Sequence, residues 1–401
     1  MNAERPGLDG RIYITGVGSV SPLGVGSLAA REAYASGRRG IHRRAIGDTT
    51  FPVGALPEEA ELELSRLTRE NPSFAKLDRT TRLALLAARE ARRQARFDER
   101  NEALGVILGS SRGATATLEL RHAEFMAKGR TQARTSPTTT LGNLATNVAR
   151  EHRTAPLAGE ISCACSTALQ ALLLGFAWLR SGLGEACLVG GTEAPLTPFT
   201  IAQMDALGLL SRDAGSEPEC QPLAREARDR LVLGEGACVL VLERLTEHEA
   251  LERGALAEVV GVGSSVEKGS SATGISPEGD GLACAMRAAL VGHTSGVDAV
   301  VVHAPGTVRG DRAELAAIAN VLGPNDVALC SSKWQMGHTL GASGAFGVEL
   351  AIHLLAAGTL AEPPYASYLR APTRPVQSVL VNSAGFGGAT ASVLLRAPGG
   401  E

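Results

Sequence analysis

Apolar positions along this chain alternate between two spacings. Short β-rich runs of Val, Ile, Leu and Ala end in Gly or Ser. Between them, apolar residues recur at helical intervals. Strands are predicted at Arg11–Val17, Ala103–Leu108, Glu185–Val189 and Gly234–Leu242, then at Leu256–Val266, Asp298–His303, Val327–Ser331, Val376–Asn382 and Ala389–Leu395. Helices are predicted at Gly26–Ser36, Leu118–Lys128, Asn143–Glu151, Ile201–Leu207, Glu247–Arg253, Gly281–Val291, Asp311–Leu322 and Gly341–Ala357, and at Leu77–Ala95 with Asp78 as its cap. Arg38–Arg44, Ser136–Thr140 and Ser211–Arg230 read as loops. Strands alternating with helices throughout are the mark of α/β layers with parallel strands.

The most informative stretch is Ile161–Ser181, a short strand, a turn over small residues and a long helix. The helix is apolar nearly all round and is expected to be buried. Cys165 stands at the turn, where unpaired helix N–H groups and the helix dipole favour thiolate and can hold an oxyanion. Gly341 heads a second long apolar helix. The two helices end alike, in Ser181-Gly182-Leu183 and Gly358-Thr359-Leu360. These echoes predict a duplicated α/β unit in one compact body, with no Gly/Ser/Pro-rich tether between its halves.

Composition narrows the function. The 401 residues are 44% hydrophobic but 3% aromatic, with a net charge of -3 and pI near 6.3. Neither a nucleic-acid nor a membrane-surface partner is indicated. The longest apolar run, Ala171–Leu179, is too short to span a bilayer, and MNAERPGLDG holds no signal-peptide core. Seven cysteines without a Cys-x-x-Cys pair suit a reduced, cytoplasmic protein. Cys163, Cys187, Cys238, Cys284 and Cys330 read as buried hydrophobes. Gly16-Val17-Gly18 follows a strand, but Ser21 stands where a dinucleotide fingerprint needs its third glycine. The basic cluster Arg38–Arg44 reads as a solvated loop, or else as a docking patch for an acidic carrier protein. The eight histidines show no paired metal-ligand spacing, so no metal is expected.

Three predicted strand ends carry chemistry: Ala164-Cys165-Ser166-Thr167, the run His303-Ala-Pro-Gly-Thr307 through Asp311, and Lys333-Trp-Gln-Met-Gly337-His338. Ligands of parallel α/β sheets bind outside the carboxyl ends of strands. A thiolate between two imidazoles there is equipped for acyl transfer. Taken singly, His303 also reads as a satisfied core histidine and His338 as a helix cap.

Almost end to end, the chain resembles the β-ketoacyl-acyl-carrier-protein synthases, condensing enzymes of the thiolase-like superfamily. The resemblance rests on Arg11–Gly24, Ala164–Thr167, Gly190-Gly191-Thr192-Glu193, Arg228-Asp229 with Leu233-Gly234-Glu235-Gly236, Lys333–Gly344 (KWQMGHTLGASG) and Asn382–Gly388 (NSAGFGG). It implies a thiolase-like α/β fold of duplicated halves layered α-β-α-β-α. An N-terminal half, 1–254, carries the nucleophile, and a C-terminal half, 255–401, carries the His/Lys/His motifs and the gate loop.

By position, the resemblance makes Cys165 the acylated nucleophile. His303 and His338 bind the extender and stabilise its enolate, and Lys333 orders the histidine loop electrostatically. Phe386 becomes the gate residue, its N–H joining that of Cys165 in an oxyanion hole. Asp311 and Glu314 become supporting residues, and Thr307 a contact of the phosphopantetheine arm. No metal or redox cofactor is implied, since phosphopantetheine arrives on the carrier. The implied partners are an acyl carrier protein and a second subunit, either an identical copy or a paralogue.

The chain departs from the pattern in places. Where the family reads His-Gly-Thr-x-Thr, this chain reads His303-Ala-Pro-Gly-Thr307. Aligning the Gly-Thr pairs puts Pro305 at the catalytic histidine, whereas the gap-free placement keeps His303 there. Arg230 and Leu231 replace a Gly-Phe pair, and Ala384 replaces a Phe, so the pocket wall is altered. The expected reaction is decarboxylative Claisen condensation with malonyl-carrier, in fatty acid, polyketide or polyene biosynthesis. The alternative is a non-catalytic, chain-length-factor-like partner subunit. A thiolase is disfavoured, because its second cysteine is absent from Asn382-Ser383-Ala384-Gly385.

Overall fold

The computed structural model describes residues 10–97, 104–152, 156–212, 218–268, 274–323 and 327–400. The start of the N-terminal stretch, Ala103 and residues 213–217 of the expected Ser211–Arg230 loop lie outside them. The first elements are β1 (Arg11–Ser21), β2 (Gly24–Val25), α1 (Gly26–Ser36), β3 (Ile41–Ile46), β4 (Thr49–Gly54), α2 (Glu58–Glu70), α3 (Arg79–Gln94) and β5 (Gly105–Gly109). Next come α4 (Thr115–Lys128), α5 (Thr135–Thr139), α6 (Asn143–Glu151), β6 (Ala158–Ile161), α7 (Thr167–Arg180), β7 (Ala186–Glu193), α8 (Pro198–Asp205), β8 (Leu233–Gly234), β9 (Gly236–Leu245) and α9 (Glu247–Glu252). The rest are β10 (Ala257–Val266), α10 (Asp280–Ala289), β11 (Ala299–Val301), α11 (Val308–Leu322), β12 (Ala328–Cys330), α12 (Lys333–Met336), α13 (Ser343–Leu355), β13 (Ser378–Ala384) and β14 (Ala389–Arg396).

Among the described residues the main hydrogen-bonded path runs β12-β11-β13-β14-β10-β1-β9-β7-β5-β6. Read outward from its centre, the path repeats itself. β1 is antiparallel to β9 and β9 to β7, while β7, β5 and β6 are parallel. Likewise β10 is antiparallel to β14 and β14 to β13, while β13, β11 and β12 are parallel. Among the described residues the strands of the two runs pair with each other only at Tyr13↔Glu258 and Ile14↔Ala257.

The helices complete five layers. α3 covers β1, β7 and β9 on one outer face, and α6 covers β5 and β6. α10 covers β10, β13 and β14 on the other outer face, backed by α11. Between the sheets, α7 touches β5, β7 and β9 and also β10 and β14; α13 touches β11 and β13 and also β7 and β9. Central strands covered on both faces bury every residue rather than alternate, as β7 and β9 do.

Gly16-Val17-Gly18 owes its glycines to helix packing. A Cβ at Gly18 would overlap the Ala87 carbonyl oxygen of α3, and one at Gly16 that of Ala91. β10 repeats the device: Gly261-Val262-Gly263 lies against the carbonyl oxygens of Ala289 and Ala285 of α10.

Three loop or burial expectations are corrected. Arg38–Arg44 runs into strand β3, whose exposed residues pair with β4. Ser136–Thr140 is mostly the short helix α5. α7 is not buried all round: Leu174 is 43% exposed, and Ala177 also faces outward. α2 went unread in the sequence. It starts after Pro57, carries acids in its first turn and buries Ala60, Leu64 and Leu67 on one face. Among the described residues no helix is long and apolar enough to cross a membrane.

Candidate active site

The chemistry collects where β6, β11, β12 and β13 end. β6 leads through Ser162–Ser166 into α7. Ala164, just before Cys165, has φ 48, a left-handed conformation that is costly for a residue with a Cβ. The turn is held by Ser166 Oγ and Thr167 Oγ1, which donate to the carbonyl oxygens of Cys163 (2.8 Å) and Ala164 (2.7 Å). Thr167 Oγ1 also accepts from the Cys163 N–H at 2.8 Å. Ser383, near the end of β13, donates its hydroxyl to the Cys165 carbonyl at 2.9 Å.

β11 ends two residues before His303. The His303 and Ala304 N–H groups donate to Glu314 at 2.8 and 2.6 Å, and Asn382 Nδ2 donates to the same carboxylate at 3.1 Å. Asp311 accepts from the N–H groups of Gly306 and Thr307 at 3.1 Å each and of Leu223 at 2.7 Å. Both acids thus shape the His303 loop through its backbone. Beyond β12, Lys333 Nζ donates to the Val302 carbonyl at 3.3 Å. The His338 backbone is tied to Val232 and Gly234 at 2.7 and 2.9 Å.

These elements bring the His303 and His338 rings to 5.4 Å between centroids, edge to face at 78°. Both Nδ1 atoms are buried without a hydrogen-bond partner among the described residues. The gap-free reading of the loop is the one that sets an imidazole opposite His338. Cys165, His303, His338, Thr307, Glu314 and Phe386 line one cavity of about 280 Å³. Lys333 and Asp311 stand outside that lining. Phe386 is 39% exposed at the mouth, in a glycine turn where Gly387 and Gly388 have φ 87 and 82.

The family described as Beta-ketoacyl synthase, N-terminal domain, matches residues 9–248, and Beta-ketoacyl synthase, C-terminal domain, matches residues 256–365. The chain belongs to the β-ketoacyl synthase family. This synthase is 32% identical over 354 residues to 3-oxoacyl-[acyl-carrier-protein] synthase 2 of Staphylococcus aureus strain N315, covering 84% of this chain and 83% of that one. Its structure is similar to that of the ishigamide ketosynthase/chain length factor, with TM-score 0.84, 27% identity and coverage of 97% and 100%. It is also similar to a beta-ketoacyl synthase from Burkholderia phymatum STM815, with TM-score 0.81, 25% identity and coverage of 97% and 99%. The activity class is that of a condensing enzyme.

The electrostatics of the synthase site reverse one expectation. Burial pushes the Cys165 thiol up to about 12; Glu193 adds to the rise and Lys333 opposes it. The resting group is therefore a thiol, because desolvation outweighs the favourable helix end. Burial, aided by the Lys333 charge, also holds His303 and His338 well below the usual imidazole range, so both are neutral. Burial lowers the Lys333 ammonium, with Glu314 opposing. It raises Asp311 to about 7 and raises Glu314 as well, against the N–H bonds each accepts.

Two cysteines differ from expectation. Cys284 is exposed and Cys163 half-buried, while Cys187, Cys238 and Cys330 are buried.

Glu193 was legible only as part of a motif. It is fully buried at the end of β7 and accepts from Ser110 Oγ (2.7 Å) and from the N–H groups of Ser111 (2.9 Å), Arg112 (3.1 Å) and Gly341 (2.9 Å). A carboxylate closing a strand that is apolar up to Thr192 is the signal that marks it. The aliphatic wall (Met204, Leu207, Leu209, Leu231, Ile275, Leu340) comes from the end of α8 and from scattered connecting segments, and has no such signal.

Proposed function

We propose that Cys165 is the acylated nucleophile of a decarboxylative Claisen condensation. The observation that carries this is one cavity shared by the Cys165 thiol and two neutral imidazoles 5.4 Å apart. An acyl thioester on a carrier protein enters. Cys165 attacks its carbonyl as the thiol proton passes to an imidazole, and that proton returns to the departing carrier thiol. A buried thiol with a high proton affinity needs this neutral base beside it. The Cys165 and Phe386 N–H groups hold the oxyanion.

Malonyl-carrier follows. His303 and His338 donate to its thioester carbonyl, the C–C bond to the carboxylate breaks, and CO₂ leaves an enolate. The enolate carbon attacks the acyl-Cys165 carbonyl, the sulfur departs and is reprotonated, and a 3-oxoacyl thioester two carbons longer is released. Lys333, Asp311 and Glu314 position the histidine loop, and Thr307 meets the pantetheine arm. No free cofactor enters these steps.

A second subunit completes the molecule. β6 ends the sheet with an open edge, and beside it α7 presents Leu174 and Ala177 outward, with Leu183 just beyond its end 65% exposed. An identical copy or a paralogue covers this face. The seam between the two halves of the chain falls at 254/255. All seven cysteines are free, which suits a reducing cytoplasm.

The test is CO₂ release from malonyl-carrier, which needs the histidines but not the thiol. Wild type and Cys165→Ala are expected to decarboxylate, while His303→Ala and His338→Ala lose this activity. Loss in Cys165→Ala with retention in both histidine variants would overturn the assignment. A chain inert alone but active with a paralogue would point to the non-catalytic partner role.

A further inference from the structure

One turn of helix carries Lys333 at its start and hands the chain on to His338. This turn, α12, has four residues, all of them buried, and is followed by Gly337 with φ 77. So short a helix cannot fix its own orientation, because too few internal hydrogen bonds offset the cost of nucleation. The orientation has to come from what grips the turn. On one side the grip is the small sheet. A Cβ at Gly54 of β4, or at Gly234 of β8, would overlap the Met336 carbonyl oxygen, and His338 bridges Leu233 of β8 in parallel.

On the other side the grip is a single side chain. Gln335 Nε2 donates to the Ala33 carbonyl of α1 at 2.6 Å and to the Arg38 carbonyl just beyond that helix at 3.1 Å. The Gln335 carbonyl accepts in return from the Gly40 N–H at 2.8 Å. Trp334 packs beside this joint, since a Cβ at Gly37, the residue that ends α1, would lie 3.5 Å from its ring. The end of α1 does not depend on the amide: the Gly37 N–H already donates to the Ala33 carbonyl at 2.9 Å. The amide is also costly where it stands. Gln335 is fully buried, and its Oε1 has no hydrogen-bond partner among the described residues. That unpaired oxygen offsets much of what the two donated bonds contribute to stability. What the bonds do supply is direction, because three of them fix the rotation and tilt of one short turn.

We propose that Gln335 is a positioning residue for the condensation. It locks α12 onto the end of α1 and thereby holds Lys333 Nζ at the Val302 carbonyl and the His338 ring edge to face with His303. The inference rests on the reading that His338 acts on the extender carbonyl. Arg38–Gly40, where the basic run begins, then belongs to the support of the active site.

Gln335→Met tests it, since methionine keeps the volume and removes both the donors and the unpaired oxygen. The melting temperature is expected to stay close to that of wild type. In contrast, kcat for CO₂ release from malonyl-carrier, referred to folded protein, should fall about tenfold or more with KM unchanged, because small displacements of a catalytic group cost that much. The ¹⁵N resonances of the His338 ring, assigned by their loss in His338→Ala, should move, while those of His248, exposed on α9, stay in place. A wild-type kcat, or His338 resonances that do not move, would overturn the proposal. So would a lowered melting temperature with kcat per folded molecule kept, which would make the amide merely structural. Should the methionine variant not fold, Gln335→Asn, with an amide one methylene shorter, is read in the same way. His338→Ala in the same assay separates the two readings. If it loses CO₂ release and Gln335→Met does not, the clamp is wrong and the histidine role stands. If Gln335→Met loses CO₂ release and His338→Ala does not, the histidine role is wrong and the clamp stands, acting through Lys333.

Discussion

The heads of α7 and α13 occupy equivalent places in the two strand runs and share one backbone device. Ala164 precedes Cys165 with φ 48, and Leu340 precedes Gly341 with φ 44. Each head is also tied across to the other run, Cys165 O to Ser383 Oγ and Gly341 N to Glu193. What differs is the side chain. At the α7 head a thiol faces an open cavity. At the α13 head a Cβ would lie 2.6 Å from Ser111 N and 2.7 Å from Glu193 Oε2, so only glycine fits. One strained turn thus serves two ends. In one half it presents a nucleophile, and in the other it brings two backbones together. The duplication supplies the geometry; the substituent decides the chemistry.

The largest effect expected from breaking this asymmetry is catalytic. His303→Ala or His338→Ala removes one of two groups acting on one carbonyl, and condensation should fall by about 10²–10⁴-fold in a steady-state assay. A rate close to that of wild type in both variants would mean that the chemistry lies elsewhere. The second contrast is structural. Gly341→Ala should cost ~1–3 kcal/mol of stability by overpacking, read as a lowered denaturation midpoint. Cys165→Ala, at the equivalent place, should leave the midpoint nearly unchanged. Equal losses would deny that the two heads differ in this way.

A third prediction concerns the thiol. Because burial holds Cys165 up to about 12, its alkylation by iodoacetamide should keep rising with pH beyond the range of an ordinary cysteine, where levelling sets in above about 8.5. Glu193 raises the thiol, so Glu193→Gln removes a negative charge and should speed alkylation at a given pH. Slower alkylation would contradict the electrostatic assignment.

The smallest effect separates the bodies of the two helices. α13 buries Glu349, which accepts from Ser19 Oγ at 2.6 Å and Tyr34 OH at 3.1 Å, and burial raises it to about 7. α7 holds no such acid. A carboxyl raised in the fold stabilises it below the unfolded value of ~4.3 and loses that contribution as pH climbs through about 7. Melting temperature should therefore decline between about pH 5 and pH 8 in wild type, and less steeply in Glu349→Gln. Parallel profiles would assign the slope to other groups.

Much of this was legible in the sequence, for identifiable reasons. Helices with a cap and one apolar face announced themselves: Asp78 does accept from the Thr80 N–H at 2.8 Å, and Gly26–Ser36 and Asn143–Glu151 fall where their periodicity places them. The three loaded strand ends were legible because Cys, His and Lys are rare after buried strands. The state of the Cys165 thiol was not. Helix-end effects can be read locally, whereas desolvation depends on segments far away in sequence. The open face of α7 escaped for a related reason, since an all-apolar helix is compatible with a core and with a subunit contact alike. Gly16-Val17-Gly18 was opaque alone and became clear only beside Gly261-Val262-Gly263, each pair pressed against its own helix.

The most direct test of the central claim is intact-protein mass spectrometry after incubation with acyl-loaded carrier proteins, comparing wild type with Cys165→Ala. The account predicts that wild type gains the mass of one acyl group and that the variant gains none. An adduct that persists in Cys165→Ala, or no adduct in wild type with any acyl-carrier offered, would contradict it.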